Sequence, residues 1–202
     1  MEGVISETAC LAEQVMNEGQ RQLFNLGRFV LAFAQVEAYL RITLTELGGI
    51  SDTFSRIVFG GVRSEDAISH VKKLLKVKNV DSGMASGYAE VFEHFAPIKD
   101  ARNLILHSGI AWCGTGFATT NRSRTLNPKD EIVIPVSSEI FEQMIDDLDK
   151  MTAILVNHLL QIDGTSPSAL AFDPAARRPW RYERPQQGSQ PKKKVQRQGK
   201  SR

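Results

Sequence analysis

Apolar residues recur at every third or fourth position through the first long stretch of the chain, residues 6–47. This is the spacing of one face of an α-helix. Gly48 and Gly49 follow the last apolar position and favour a helix end there. Gly19 and Gly27 lie inside the stretch, so we expect either one long helix or two helices joined end to end.

Two more helices are predicted in the first half of the chain. After a turn-rich stretch at residues 50–63, Ser64 is a suitable N-cap for a helix with acidic residues in its first turn. A third helix is expected to begin after Gly83 and to end near His107. Pro97 lies inside this helix, and we expect it to kink the helix or divide it in two.

The pattern then changes from helical spacing to short β-rich runs. Residues 110–120 and 131–136 read as two strands joined by a polar loop, which predicts a small β-hairpin. Ser137 or Ser138 then caps a final long helix. The positions expected to be buried in that helix are Ile140, Phe141, Met144, Ile145, Leu148, Met151, Ile154, Leu155 and Leu159.

Helical periodicity stops after Thr165, and the remaining residues are rich in Pro, Gln, Gly and Lys. Such a segment buries too little apolar surface to offset the entropy lost on ordering. We therefore predict a mainly α-helical bundle over residues 1–165, with a small β-hairpin before its last helix, followed by a disordered, Pro-rich basic tail over residues 166–202. From Arg177 onward the chain has ten basic residues and one acidic residue, so this part carries +9 and residues 1–176 carry −7. This charge asymmetry bears on the partners of the chain rather than on its fold.

The composition of the chain bears on its cellular compartment and on whether it contains disulfide or zinc sites. The chain has 202 residues, 42% of them hydrophobic, which suits one globular core. It contains no apolar run long enough to span a membrane, and its first ten residues lack the basic charge of a secretory signal. Cys10 and Cys113 are far apart and have no CxxC or Cys/His partner at zinc spacing. We expect a cytoplasmic protein without a membrane partner, a disulfide framework or a zinc finger.

The candidate chemistry lies near the end of the third predicted helix. Arg102 is followed by Asn103 and, after three further residues, by His107. This Arg-Asn-x-x-x-His pattern resembles the catalytic signature of the HEPN family, small helical proteins of which many are metal-independent ribonucleases in toxin–antitoxin and defence systems. Arg63 and His70 have a related spacing, but Arg63 precedes its predicted helix, so the family's arrangement matches only the pair at the helix end.

The HEPN resemblance implies an endoribonuclease that cleaves RNA by attack of a ribose 2′-OH on the adjacent phosphorus, without a metal or other cofactor. Because histidine titrates near neutral pH, His107 would act as general base or acid. Arg102 would hold the phosphate oxygens and stabilise the charge of the transition state. Asn103 would position His107 or the phosphate. The family also implies RNA, a second copy of the chain and an antitoxin or other protein as partners. Gly109 stands where some of these toxins carry a tyrosine.

Helix geometry bears on the oligomeric state. Asn103 and His107 share a helix face, whereas Arg102 and His107 point about 140° apart. One helix does not easily aim both side chains at one point, but a two-fold dimer could let pairs from two subunits converge in a cleft. The family resemblance implies such a homodimer, with the site at its junction. A structural alternative remains open for the same residues: His107 caps the last carbonyls and Arg102 pairs with Asp100 or Glu90. The chain would then be a non-catalytic HEPN-like module that binds RNA or protein.

The tail contains a second candidate site, in which basic residues alternate with aromatic ones. This combination suits single-stranded nucleic acid, through phosphate contacts and base stacking, although a merely solubilising tail has a similar composition. The predicted nucleic-acid-binding residues are Arg177, Arg178, Trp180, Arg181, Tyr182, Arg184, Lys192, Lys193 and Lys194. Two other polar groups are interpreted as solvated helix faces rather than metal sites, namely Glu90 with His94 and the acidic cluster Asp146, Asp147 and Asp149.

Overall fold

The computed structural model describes residues 18–112, 117–122, 125–127, 131–162 and 174–184. Five α-helices account for most of this part: α1 (Glu18–Gly48), α2 (Asp52–Phe59), α3 (Ser64–Val77), α4 (Ser82–Ser108) and α5 (Ser138–Ile162). Between α4 and α5 lies a small antiparallel sheet of β1 (Ala111–Trp112), β2 (Phe117–Thr120) and β3 (Val133–Pro135), in that order. The predicted mainly helical bundle with a hairpin before the last helix is confirmed.

Helix α1 is the central element and packs against α5, α3 and α2. It passes through Gly27 without a break, so the described part of the predicted stretch is one helix and not two. Its end is a Schellman motif: Gly49 has a φ of 63°, and the amides of Gly49 and Ile50 donate to the carbonyl oxygens of Glu46 and Thr45 at 3.1 and 3.3 Å. The helix end predicted from the glycine pair is confirmed.

Helix α2 corrects the prediction of a turn-rich stretch at residues 50–63. The Ser51 side chain caps the helix by accepting from the amide of Phe54 at 3.4 Å. Asp52 lies in the first turn and forms an ion pair with Arg56 at 2.7 Å. The capping signal is present in the sequence, but the helix buries only one of its eight residues. The apolar side chains of α2 do have helical spacing, but they span little more than one turn and most are exposed, which is too short a pattern for periodicity to detect.

Helix α4 carries the predicted site, and both of its ends were predicted. The Asp81 carboxylate caps its start by accepting from the amides of Gly83 and Met84 at 2.9 and 3.0 Å. Its end is followed by Gly109, which has a φ of 74°. The helix is continuous through Pro97, so the expected division into two helices is wrong.

The sheet holds the end of α4 in place. Strand β2 pairs with β3 in the register Thr119 opposite Ile134, which is the predicted hairpin, and with the short β1 along its other edge. The hydroxyl of Thr119 donates to the carbonyl oxygen of Leu104 at 3.2 Å. In α5, seven of the nine predicted core positions are buried, and Ile140 and Leu159 are half-buried. No helix among the described residues is long and apolar enough to cross a membrane.

Residues 174–184, which we call the clasp, correct the prediction of a disordered tail. A short 3-10 helix, Pro174–Arg177, packs on α5, and Tyr182 is buried. The backbone amides of Arg181 and Tyr182 donate to the Asp147 carboxylate at 2.9 and 2.8 Å. Asp147 is only 1% exposed, so its interpretation as part of a solvated face is wrong. The rest of the predicted tail, residues 166–173 and 185–202, lies outside the described residues.

Candidate functional site

The three predicted catalytic residues lie in the last two turns of α4. Arg102 and Asn103 are half-buried and His107 is exposed. The helix stops one residue after His107, and the Gly109 amide donates to the carbonyl oxygen of Ile105 at 2.9 Å. The imidazole is therefore accessible from solvent rather than enclosed among apolar side chains.

The guanidinium of Arg102 is held by an amide and an aromatic ring. Its Nη1 donates to Oδ1 of Asn103 at 3.1 Å, and its central carbon lies 5.2 Å from the ring centroid of Phe33 on α1. Phe33 in turn stacks on Phe95, with centroids 5.0 Å apart. The alternative partners considered for Arg102 are engaged elsewhere, because Asp100 pairs with a clasp arginine and Glu90 with a lysine of α5.

The three residues open onto one cleft of about 780 Å³ built by three helices. Helix α1 contributes one side, the start of α3 a second and the end of α4 a third. The lining residues are Phe33, Glu37, Arg63, Ser64, Glu65, Asp66, Lys99, Arg102, Asn103 and His107. Arg102 and His107 thus line a common cavity within a single chain. A second subunit is not required for the two residues to line this cavity.

Two polar contacts fix the walls of this cleft relative to each other. The Ser64 hydroxyl donates to Oε1 of Glu37, which ties the start of α3 to α1. The ammonium of Lys99 lies 2.8 Å from Oε1 of Glu65, which ties α4 to α3. This hydrogen bond from Lys99 lowers the pKa of the Glu65 carboxyl, with further contributions from its own backbone amide and from the charge of Arg63. The cleft is therefore polar and contains charges of both signs.

Sequence patterns missed the residues that α1 and α3 add to this site. Ser64 was expected to cap α3 with its side chain, but it is the first residue of the helix and its hydroxyl is bound to Glu37. Arg63 precedes its helix and does not match the family's arrangement, and yet it lines the cleft. Phe33 resembles any other core position in a helical repeat. No local signal distinguishes these residues, because only the packing of α1, α3 and α4 brings them together.

The aromatic residues of the clasp, predicted to stack on bases, are engaged within the chain. Trp180 stacks on His94 with ring centroids 4.0 Å apart and 8° between planes, and its Nε1 donates to Glu90. The ammonium of Lys150 lies 3.9 Å from the Trp180 ring centroid. Tyr182 is 3% exposed. Both aromatic rings are therefore engaged within the chain. His94 is half-buried under Trp180, whereas Glu90 remains exposed, so the interpretation as a solvated face holds for Glu90 and not for His94.

The basic residues of the clasp lie at the surface, and two of them pair with acids of the helices. Arg181 forms an ion pair with Asp146 on α5, and Arg184 with Asp100 on α4 at 3.2 Å. The other predicted nucleic-acid-binding residues are the exposed Arg177 and Arg178 and, outside the described residues, Lys192, Lys193 and Lys194. Nucleic-acid binding by these residues stays a prediction.

Metal binding finds no support in the described part of the chain. Within it, no group of three or more His, Cys, Asp or Glu side chains is arranged to hold a metal ion. Cys10 and Cys113 lie outside the described residues. The expectation of a site without metal or other cofactor stays a prediction.

Comparison of the chain with models of known protein families, with curated proteins and with solved structures found no match. The resemblance to HEPN domains therefore depends on the residues around Arg102 and on the order of the helices.

Proposed function

We propose that the chain is a metal-independent endoribonuclease whose active site is the cleft between α1, α3 and α4. One observation carries the proposal: Arg102, Asn103 and His107 line a single open cleft, with the imidazole exposed at its edge. A cation held in a fixed orientation beside an accessible imidazole is the pair that cleavage by a neighbouring 2′-OH requires.

In the proposed reaction the imidazole of His107 removes the proton of a ribose 2′-OH. The freed oxygen attacks the adjacent phosphorus, and the bond from phosphorus to the 5′ oxygen breaks. The leaving 5′ oxygen takes a proton from the imidazolium or from water. The products are a strand ending in a 2′,3′-cyclic phosphate and a strand beginning with a 5′-OH.

Arg102 stabilises the charge that builds on the non-bridging phosphate oxygens. Its orientation matters because the guanidinium is planar and its donors point in fixed directions. Phe33 supports one side of this group, and Asn103 accepts from Nη1. Asn103 therefore acts as a positioning residue for Arg102, which is a narrower role than positioning His107 or the phosphate directly.

The test is RNA cleavage in the presence of EDTA. His107→Ala is expected to lower the rate about 100-fold or more, the range for loss of a general base, and Arg102→Ala is expected to do the same by removing charge stabilisation. His70→Ala is the matched control, because His70 is an exposed histidine of α3 that does not line the cleft. A 2′-deoxy residue at the cleavage point should stop the reaction. Equal cleavage by all variants, or none by any, would refute the proposal.

A second candidate function is a non-catalytic module that binds RNA or protein. The observation that favours it is exposed apolar surface: Leu23 and Leu31 of α1 and Ile57 of α2 are 71%, 65% and 77% exposed. Such side chains are suited to a homodimer contact or to an antitoxin-like protein partner. Under this alternative, binding survives Arg102→Ala. Binding of RNA through the tail would weaken on removal of residues 185–202, which leaves the clasp intact.

A further inference from the structure

Arg63 occupies a defined position at the edge of the cleft. It is the N-cap residue of α3, with an extended backbone, and its side chain makes no capping hydrogen bond. The next residue, Ser64, is bound to Glu37 of α1, so the backbone that carries Arg63 is anchored. Its side chain is exposed. The guanidinium is thus free to reach a ligand while its point of attachment stays in place.

The acids of the cleft that have hydrogen-bond partners bind side chains other than Arg63 and Arg102, although the charge of Arg63 also acts on Glu65. Glu37 accepts from Ser64, and Glu65 pairs with Lys99 at 2.8 Å. Within the described part of the chain, neither of the two arginines forms an ion pair. Two guanidinium groups from different helices therefore face one cavity, and each retains donors for an anion. This arrangement differs from that of Arg181 and Arg184 in the clasp, which pair with aspartates.

We propose that Arg63 binds a second phosphate of the RNA strand whose scissile phosphate is held by Arg102. The cleft would then take an oligonucleotide with at least two consecutive phosphates rather than a single nucleotide. Guanidinium groups suit this role because their donors match phosphate oxygens in pairs. The cleft volume of about 780 Å³ lies in the upper part of the range for ligand sites. The inference rests on the proposed function, because that assigns Arg102 to the scissile phosphate.

The proposed contact between Arg63 and a phosphate would also offset the negative charge of Asp66. This carboxylate lines the same wall as Arg63 and repels a polyanion. In the cleft, Arg63 supplies a positive charge at the wall where the acids of α3 would otherwise dominate. A ligand with one phosphate needs only Arg102, whereas a longer strand must pass this wall and gains from Arg63.

The experiment measures binding of 2′-deoxy oligonucleotides, which cannot be cleaved, to the full chain. A dinucleotide with one phosphate is compared with a tetranucleotide with three, by fluorescence anisotropy over a range of salt concentrations. Arg63→Ala is expected to weaken tetranucleotide binding about ten-fold and to leave the dinucleotide within about two-fold. It should also reduce the slope of log K against log salt by about 0.7, the value for one phosphate contact on a single strand. Arg63→Lys should restore the slope.

Two controls separate this inference from general electrostatics and from the proposed function. Arg56→Ala removes an exposed arginine of α2 that is paired with Asp52 and does not line the cleft, and it should change neither affinity. Arg102→Ala should weaken both ligands. An equal effect of Arg63→Ala on both ligands, or no effect on either, overturns the second subsite. Because no cleavage is measured, the expected binding pattern from a chain that fails to cut RNA would support the subsite while refuting the nuclease.

Discussion

Replacing Asp147 with alanine tests whether the clasp is part of the folded domain. The carboxylate accepts from the amides of Arg181 and Tyr182 at 2.9 and 2.8 Å, and it is buried. Hydrogen bonds to a charged group contribute about 1.5–3 kcal/mol each. Burial also raises the pKa of Asp147, which means that its ionised form is disfavoured by desolvation. Two such bonds would sum to about 3–6 kcal/mol, and the desolvation cost of the carboxylate reduces this sum, so we expect a net loss of about 2–3 kcal/mol.

Thermal unfolding measures the loss of stability, and tryptic cleavage measures the opening of the clasp. In a chain of this size, a loss of 1 kcal/mol lowers the melting temperature by about 2–4 °C, so Asp147→Ala should melt about 5–10 °C below the parent chain. If the clasp opens before the helices unfold, trypsin should also cut after Arg181 faster than in the parent chain, because Tyr182 leaves its buried position.

Asp146→Ala is the matched control, since it removes a neighbouring carboxylate of the same helix that pairs with the partly exposed Arg181 side chain. A surface ion pair contributes about 0–1 kcal/mol, so this variant should stay close to the parent. Equal stability of the two variants, with no change in tryptic cleavage, would show that the buried carboxylate does not hold the clasp.

Three further predictions concern the helix interface and the cleft. A methyl group at Gly87 would overlap the His158 ring, so Gly87→Ala should lower the free energy of unfolding by about 1–3 kcal/mol in urea unfolding. In the control Gly27→Ala the added methyl group meets nothing within 4 Å, so this variant should be more stable than the parent, and equal effects of the two changes would contradict the packing. Burial lowers the pKa of His158 from 6.5, against the opposing charge of Asp81. The unfolded chain then binds the proton more readily, so the contribution of His158 to the free energy of unfolding is fully present above pH 6.5 and is lost as the pH falls towards the folded pKa. The stability of His158→Gln should lack this pH dependence, and an unchanged pH dependence would refute the prediction. Asp66→Asn should raise tetranucleotide affinity, unlike the exposed Glu139→Gln, and equal affinities would count against a strand along that wall.

The secondary structure could be predicted where its signal is local. Gly49 and Asp81 each mark a helix end by their own backbone or side chain, and the apolar spacing of α5 identified most of its buried positions. The part of the site on α4 was also predictable, because Arg102 and His107 stand within two turns of one helix. Helix α2 was missed because eight residues are too few to establish a helical period.

The periodicity and the capping residues of the chain thus determined four of the five helices, all except α2. The residue pattern near the end of α4 marked Arg102, Asn103 and His107. Only the tertiary structure decided that Arg63 joins these residues in a cleft and that the clasp folds back over α4 and α5. The physical reason is that a polar side chain acquires its role from partners far away in sequence: Trp180 donates to Glu90, 90 positions earlier. Helical spacing records which positions are apolar, but a carboxylate such as Asp147 looks the same in the sequence whether water or two buried amides surround it.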